Sequence, residues 1–396
     1  MRVVLFTGKG GVGKTTTAAA TATLAAARGR KTLVLSTDPA HSLGDAFGSP
    51  LGPEPTELDT GLYGQQVDTQ LRFEKAWREV QAYLRTVLDA AGVDPIEAEE
   101  LTVLPGADEV LALLEVRAQV RSGIWDLVVV DCAPTAETLR LLALPEALSW
   151  YVERVFPVQR RMLRSLRPVL TRAAGVPLPQ DRVFAALERL HQELSEVRQV
   201  LTDPASASVR LVLTPEAVVL AEARRTLTSV SLYGYRVDAV IVNRVFPDDD
   251  GADPWRAGWV AAQAGQLAEV AASFAPLPIY RTPYRRSEPV GLPELAAMAA
   301  ETYRDADAFA LPRGPEPLRV ERDGDEFDLV VELPHAGRDD VDLARSGDDL
   351  VITVGGRRRL FALPSALRRC LVTGATMLDG HLRVRFQPDP SLWTSP

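Results

Sequence analysis

"LFTGKGGVGKTT", residues 5–16, decides how this 396-residue chain is read. Gly8-Lys9-Gly10-Gly11-Val12-Gly13-Lys14-Thr15 satisfies G-x-x-x-x-G-K-[ST]. The apolar run "RVVLF" at 2–6 precedes it, and the helix-forming "TTAAATATLAAARG", beginning at Thr16, follows. In such a loop the glycines let backbone N–H groups wrap a phosphate chain, and the helix N-terminus adds positive partial charge. Lys14 would reach the outer phosphates, and Thr15 could ligate Mg²⁺. The motif needs one lysine and has two. Only four of the 44 basic residues are lysine, and Lys9 and Lys14 are two of them. A chain this biased toward arginine keeps lysine where a compact point charge on a flexible stem is needed.

Strand-length apolar runs recur outward from the loop: "TLVLS" at 32–36, "DLVVVD" at 126–131, "RLVLT" at 210–214 and "DAVIVN" at 238–243. Continuous apolar strands alternating with helices imply an α/β fold with a parallel sheet covered on both faces. The second run leads into "STDPAHSLGDAF", 36–47. An acidic residue at the C-terminal end of a parallel strand faces the same crevice as the phosphate loop, so Asp38 can orient an attacking water. His41 is a candidate general base or a loop hydrogen-bonder. The third run delivers Asp131 as a carboxylate for Mg²⁺, directly or through water, ahead of "CAPTAETLRLLALPE".

Helical periodicity marks 71–91, 105–122 and 137–201, the last too long for a single crossover and read as an insertion. Leu148, Tyr151, Val152 and Val155 form one apolar stripe. Val183, Phe184, Leu187, Leu190, Leu194, Val197 and Leu201 form another. Such stripes serve either self-burial or a client groove. Prolines and a glycine in "LPRGPEPL", 311–318, end the α/β pattern. Beyond it β-formers cluster between Asp-Gly, Gly-Asp and Gly-Gly turns. The expected organisation is an ATPase domain over 1–310, a linker at 311–317 and an all-β sandwich over 318–396.

The composition is that of a globular chain without an 18-residue apolar run, and the N-terminus reads as a first strand, so a cytoplasmic location is expected. A net charge of −9 opposes nucleic-acid binding. Two distant cysteines, Cys132 and Cys370, supply neither a disulfide framework nor a C-x-x-C zinc site.

The lysine pair resembles the deviant Walker A signature K-G-G-x-G-K-[ST]. "GKGGVGKTT", "STDPAHSLGDAF", "PGADEVLALLEV", "DCAPTAETLRLL" and "TPYRRSEPVGL" together resemble the ArsA-type ATPases, a family that includes the arsenite-pump ATPase and the targeting factor for tail-anchored membrane proteins. The resemblance implies ATP and Mg²⁺ as cofactors and a homodimer in which Lys9 serves the partner's nucleotide. A solvated lysine at the loop shoulder is the alternative. It implies Asp38 as the water-activating aspartate, Asp131 as a second switch, Asn243 as the adenine-recognising residue and Pro283 as a proline near the base. By chemistry alone Asn243 could cap the next loop. Hydrophobic protein segments and a membrane receptor are the implied partners.

Two departures matter. The second switch usually reads D-T-A-P-T-G-H-T, and here Cys132 replaces Thr and Ala136-Glu137 replaces Gly-His. As(III) needs converging soft thiolates and an intersubunit zinc needs C-x-x-C, so arsenite binding and intersubunit zinc are not expected. Residues 318–396 resemble the α-crystallin fold of small heat-shock proteins, including the early "ELP" and the late "GHLRVRF", but lack an I-x-I tail. The expected function is an ATPase coupling nucleotide state to capture and release of hydrophobic clients. The alternatives are a nucleotide-gated holdase with little turnover, or an arsenite-pump-like subunit.

Overall fold

A computed structural model describes residues 1–38, 42–67, 107–133, 181–247, 253–312 and 314–392. His41, Ala136, Glu137, the helical pattern at 71–91 and the stripe from Leu148 to Val155 lie outside them. The chain divides into two compact units. One comprises residues 1–66, 124–139 and 201–396, and the other 67–123 and 140–200.

The first unit contains an eight-stranded sheet: β1 (Arg2–Thr7), β2 (Thr32–Ser36), β3 (Thr56–Asp59), β4 (Leu62–Gln66), β5 (Leu127–Asp131), β6 (Ala207–Leu213), β7 (Val237–Val245) and β8 (Ile279–Pro283). Its order is β3-β4-β2-β5-β1-β6-β7-β8, parallel except for the antiparallel pair β3–β4. The five runs read from sequence are its central strands. β1, β2, β5 and β6 are buried throughout, which is why they read as largely apolar runs; the polar Ser208 and Arg210 of β6 are paired inside with Asp238. The edge strands β3 and β8 escape an apolar-run criterion because β3 is mostly exposed and β8 reads "IYRTP"; β4, paired between β3 and β2, escapes it because it reads "LYGQQ".

Helix α1 (Lys14–Ala27) packs against the sheet through small residues, Ala18, Ala19, Ala20, Ala22 and Ala25 being buried. Short helix α2 (Ser42–Phe47) follows β2. In the second unit, α3 (Ala107–Arg121) matches the expected helix at 105–122, and α4 (Asp181–Thr202) is the described part of the expected insertion. Arg117 of α3 bonds Glu196 of α4 at 2.8 Å. Leu194, Val197 and Leu201, the described members of the second apolar stripe, are buried. That end of the stripe is taken up by folding.

Returning to the first unit, α5 (Ala217–Leu232) joins β6 to β7, α6 (Pro254–Phe274) precedes β8, and α7 (Leu292–Tyr303) follows it. Beneath α7 an interior polar cluster ties the sheet together. Arg210 of β6 donates to both oxygens of Asp238 at 3.1 and 2.7 Å, to Tyr303 Oη at 3.0 Å and to the Ala308 carbonyl at 2.9 Å. Arg2 donates to the same carboxylate at 2.9 Å.

From Leu318 onward the chain forms two antiparallel sheets. One has four strands, β9 (Leu318–Asp323), β10 (Glu326–Glu332), β14 (Cys370–Leu378) and β15 (His381–Pro388). The other has three, β11 (Val341–Ser346), β12 (Asp349–Val354) and β13 (Arg357–Ala362). Gly355 and Gly356, at φ 54° and 77°, make the tight turn between β12 and β13, where both central residues need positive φ. The apolar core of these sheets contains Leu329, Val331, Ile352, Val384 and Phe386, and also Leu232 from α5. Arg359 donates to the Leu232 carbonyl, and Thr228 of α5 donates to the Pro334 carbonyl. The β region is therefore seated on helix α5 of the α/β part of this unit.

Arg210→Ala leaves the Asp238 carboxylate buried with half its compensation and is expected to cost about 3–5 kcal/mol, measured by urea denaturation. Leu232→Ala is expected to cost about 2–5 kcal/mol by the same measurement. It should destabilise the β region along with α5, because one side chain belongs to both.

Candidate nucleotide site

The phosphate loop sits at the end of central strand β1, and α1 begins immediately after it. The N-cap is Gly13 at φ 91°, with no side-chain cap bond and no acidic residue in the first turn. By contrast, Asp253 caps α6 by accepting from the N–H groups of Trp255 and Arg256. An uncapped helix start leaves donors for an anion to satisfy.

Each glycine has its own cause. A Cβ on Gly8 would stand 2.1 Å from the Val212 carbonyl oxygen, and one on Gly13 would stand 2.3 Å from Asn243 Nδ2. At Gly10 a Cβ would meet nothing of the chain, and Gly11 adopts φ 79° over similarly open space. The chain's own packing thus demands glycine at 8 and 13, whereas at 10 the open space is what a close-lying ligand would use.

Lys14 is buried, with Nζ 3.4 Å from the Lys9 carbonyl, while Lys9 is half-exposed on the loop shoulder. Thr15 Oγ1 lies 3.2 Å from Ser42 Oγ, at the start of α2. Asp131 ends β5 fully buried. Its Oδ2 accepts from Ser36 Oγ at 3.2 Å, and its Oδ1 has no hydrogen-bond partner. Burial pushes the Asp131 carboxyl up to about 7; the Thr15 hydroxyl and the Lys14 charge oppose the rise, and the Asp38 charge adds to it. An orphaned, buried carboxylate oxygen beside a hydroxyl fits the oxygen donor set of a hard divalent cation, while the nearby Lys14 ammonium suits the phosphates and not the metal.

Asp38 closes the same corner. Its N–H donates to Ser36 Oγ at 3.2 Å, and its carbonyl accepts from Gln66 Nε2 at 2.8 Å. Ser36 thereby connects Asp38 to Asp131 through one hydroxyl. Cys132, next along the chain, is buried, its N–H donating to the Phe6 carbonyl at 3.1 Å.

Asn243 is buried at the end of β7, where Nδ2 donates to the Val12 carbonyl at 2.8 Å and Oδ1 accepts from the Arg244 N–H at 2.9 Å. It latches the phosphate loop and also caps its own loop. Asn243, Pro283, Gly13 and Thr16 line one cavity of about 400 Å³, together with Tyr284 and Arg286. The structure therefore brings the loop, Asp38 and Asp131 together at the strand ends, and sets Asn243 and Pro283 on a cavity adjoining the loop. Sequence reading missed Ser36 and Ser42, although a serine ending an otherwise apolar strand and another opening α2 were both visible. It also missed Tyr284, whose neighbours come from distant segments.

A model of the anion-transporting ATPase family matches residues 1–304, and a model of an HSP20-like domain found in ArsA matches residues 324–386. A Chlorobaculum tepidum protein named "Putative arsenical pump-driving ATPase" is 35% identical over 389 residues, covering 98% of this chain and 96% of the relative. A similarly named Aquifex aeolicus protein is 33% identical over 377 residues, 93% of this chain and 95% of the relative. "ATPase get3" of Aspergillus terreus is 30% identical over 257 residues, 64% of this chain and 76% of the relative. With a phosphate loop at the head of a parallel sheet and a family match over most of its length, the chain belongs to the ArsA ATPase family and is an ATPase.

Proposed function

We propose that the chain is a homodimeric, Mg²⁺-dependent ATPase that couples its nucleotide state to capture and release of hydrophobic protein segments. The observation that carries the dimeric reading is the unequal placement of the two loop lysines, Lys14 buried and Lys9 half-exposed, with no ion pair to Lys9 among the described residues. Lys14 neutralises the outer phosphates of its own nucleotide. Lys9 adds charge at the transferring phosphate of the partner's nucleotide when two subunits close.

Thr15 and Asp131 would hold Mg²⁺, Asp131 directly or through water, and a cation held there would offset charge on the phosphate oxygens. Asp38 positions the attacking water, and Ser36 ties its backbone to Asp131. The loop's backbone, with Gly8, Gly10, Gly11, Val12, Gly13 and Thr16, cradles the phosphates. Asn243 and Pro283 border the base. The client reading rests on the resemblance to the targeting factors and on the apolar stripe from Leu148 to Val155 read from the sequence; the described end of the second stripe, Leu194 to Leu201, is buried by folding. Among the described residues no helix is long and apolar enough to cross a membrane.

Lys9→Ala is expected to lower kcat about 10²-fold or more while nucleotide Kd stays within a few-fold, read by steady-state ATPase and equilibrium binding. Equal loss of both would place Lys9 in simple binding. Co-expression of the full chain with a tail-anchored client should give a complex whose yield differs between ATP and ADP. Absence of capture in every nucleotide state, with ATPase intact, contradicts the client reading. Arsenite stimulation of turnover would favour a pump-like role.

Burial raises the Asp131 carboxyl from its ordinary 3.8 to about 7, so without a bound cation the folded chain holds an extra proton between those limits. Its contribution to stability is therefore greatest in acid and falls as pH rises toward 7. Binding the cation requires the ionised form. Mg²⁺ affinity at saturating nucleotide should accordingly increase as pH rises through 7, and Asp131→Asn should remove that dependence, as measured by calorimetric titration at several pH values.

A further inference from the structure

Four aromatic rings from three segments run away from the mouth of the 400 Å³ cavity. Tyr284, which lines it, stacks on Phe246 with centroids 4.9 Å apart and planes 3° from parallel. Phe246 lies 6.1 Å from Trp259, which lies 6.1 Å from Trp255. Tyr284 is 50% exposed, Trp259 47% and Trp255 68%. Exposed rings of this size lose apolar burial, so the arrangement is held by other means.

The holding groups are polar and specific. Buried Gln263 of α6 accepts from the Phe246 N–H at 2.9 Å and donates to the Phe246 carbonyl at 2.7 Å, fixing that residue at both backbone groups. The Tyr284 N–H donates to the Val245 carbonyl at 2.7 Å. Two adjacent loops are thus clamped so that one ring face is covered by Phe246 while the rest of the tyrosine ring borders the cavity. Gly13 and Thr16 of the phosphate loop line that same cavity. A ligand anchored there by its phosphates and extending along the cavity reaches Tyr284.

We infer that Tyr284, backed by Phe246, is the platform on which the base of the bound nucleotide stacks. The inference rests on the reading of the loop as the ATP site and adds a positioning residue to it. Stacking uses the face of the base, which every purine offers, and it needs no further hydrogen bond from Asn243, already engaged with Val12 and Arg244. The platform therefore supplies affinity for the base and sets the direction of the nucleotide, while the loop holds the phosphates.

The test separates base from phosphate. Equilibrium binding of ATP and of inorganic triphosphate is measured on the full chain and on Tyr284→Ala and Tyr284→Phe. Tyr284→Ala should weaken ATP about ten-fold or more and leave triphosphate within two-fold, and Tyr284→Phe should behave as wild type. The fluorescence of 2-aminopurine riboside triphosphate, quenched by stacking, should be low on wild type and recover on Tyr284→Ala. Unchanged ATP binding by Tyr284→Ala, or equal loss of both ligands, overturns the platform. Failure of wild type to bind either ligand overturns the ATP-site reading itself.

Discussion

Helix α1 begins without a cap, and the rest of the site is arranged around that vacancy in its hydrogen bonding. A helix start ordinarily satisfies its first N–H groups with a serine, threonine or aspartate side chain. Here Gly13 occupies the N-cap in a left-handed conformation and supplies none. The geometry is enforced from both sides of the loop: Gly8 is pressed against the Val212 carbonyl of β6, and Gly13 against the Asn243 amide of β7. The loop is therefore shaped by β6, which pairs with β1, and by β7 beyond it before any ligand arrives.

The ends of β2 and β5 carry polar groups. Ser36 of β2 and Asp131 of β5 share a hydrogen bond, and Ser36 also receives the Asp38 N–H. One hydroxyl thus joins the two segments that follow β2 and β5. Burying a carboxylate with one oxygen unpartnered is costly unless a proton or a cation compensates it, and Asp131 stands in that position at the end of β5. Helix α5 connects β6 to β7, the two strands that shape the loop, and lends Leu232 to the β region's core. The HSP20-like region is thereby built onto the helix joining those strands.

The central strands and the loop were legible because their causes are local: a buried strand needs an apolar run, and a phosphate loop needs glycines at fixed spacing. Asp38 and Asp131 are read from their place at strand ends, Asn243 and Pro283 from the family resemblance, and all four lie around the loop and the cavity beside it. What sequence did not reveal depends on distant pairs. Leu232 looks like any apolar helix position, and only the fold shows that it belongs to two cores. Phe246 and Tyr284 are 38 residues apart, joined by the pairing of β7 with β8 and by Gln263. Edge strands β3 and β8 lacked an apolar run because they are not buried on both faces.

The central claim is that Lys9 acts across a dimer while Lys14 acts at its own site, and mixed dimers test it most directly. Lys9→Ala and Lys14→Ala chains, each inactive alone, are combined by co-expression with two affinity tags, and the heterodimer's ATPase rate is measured. If Lys9 serves in trans, the site on the Lys9→Ala subunit has its own Lys14 and the partner's Lys9, and about half of wild-type turnover returns. If Lys9 serves its own nucleotide, both sites stay defective and no activity returns, which would contradict the account.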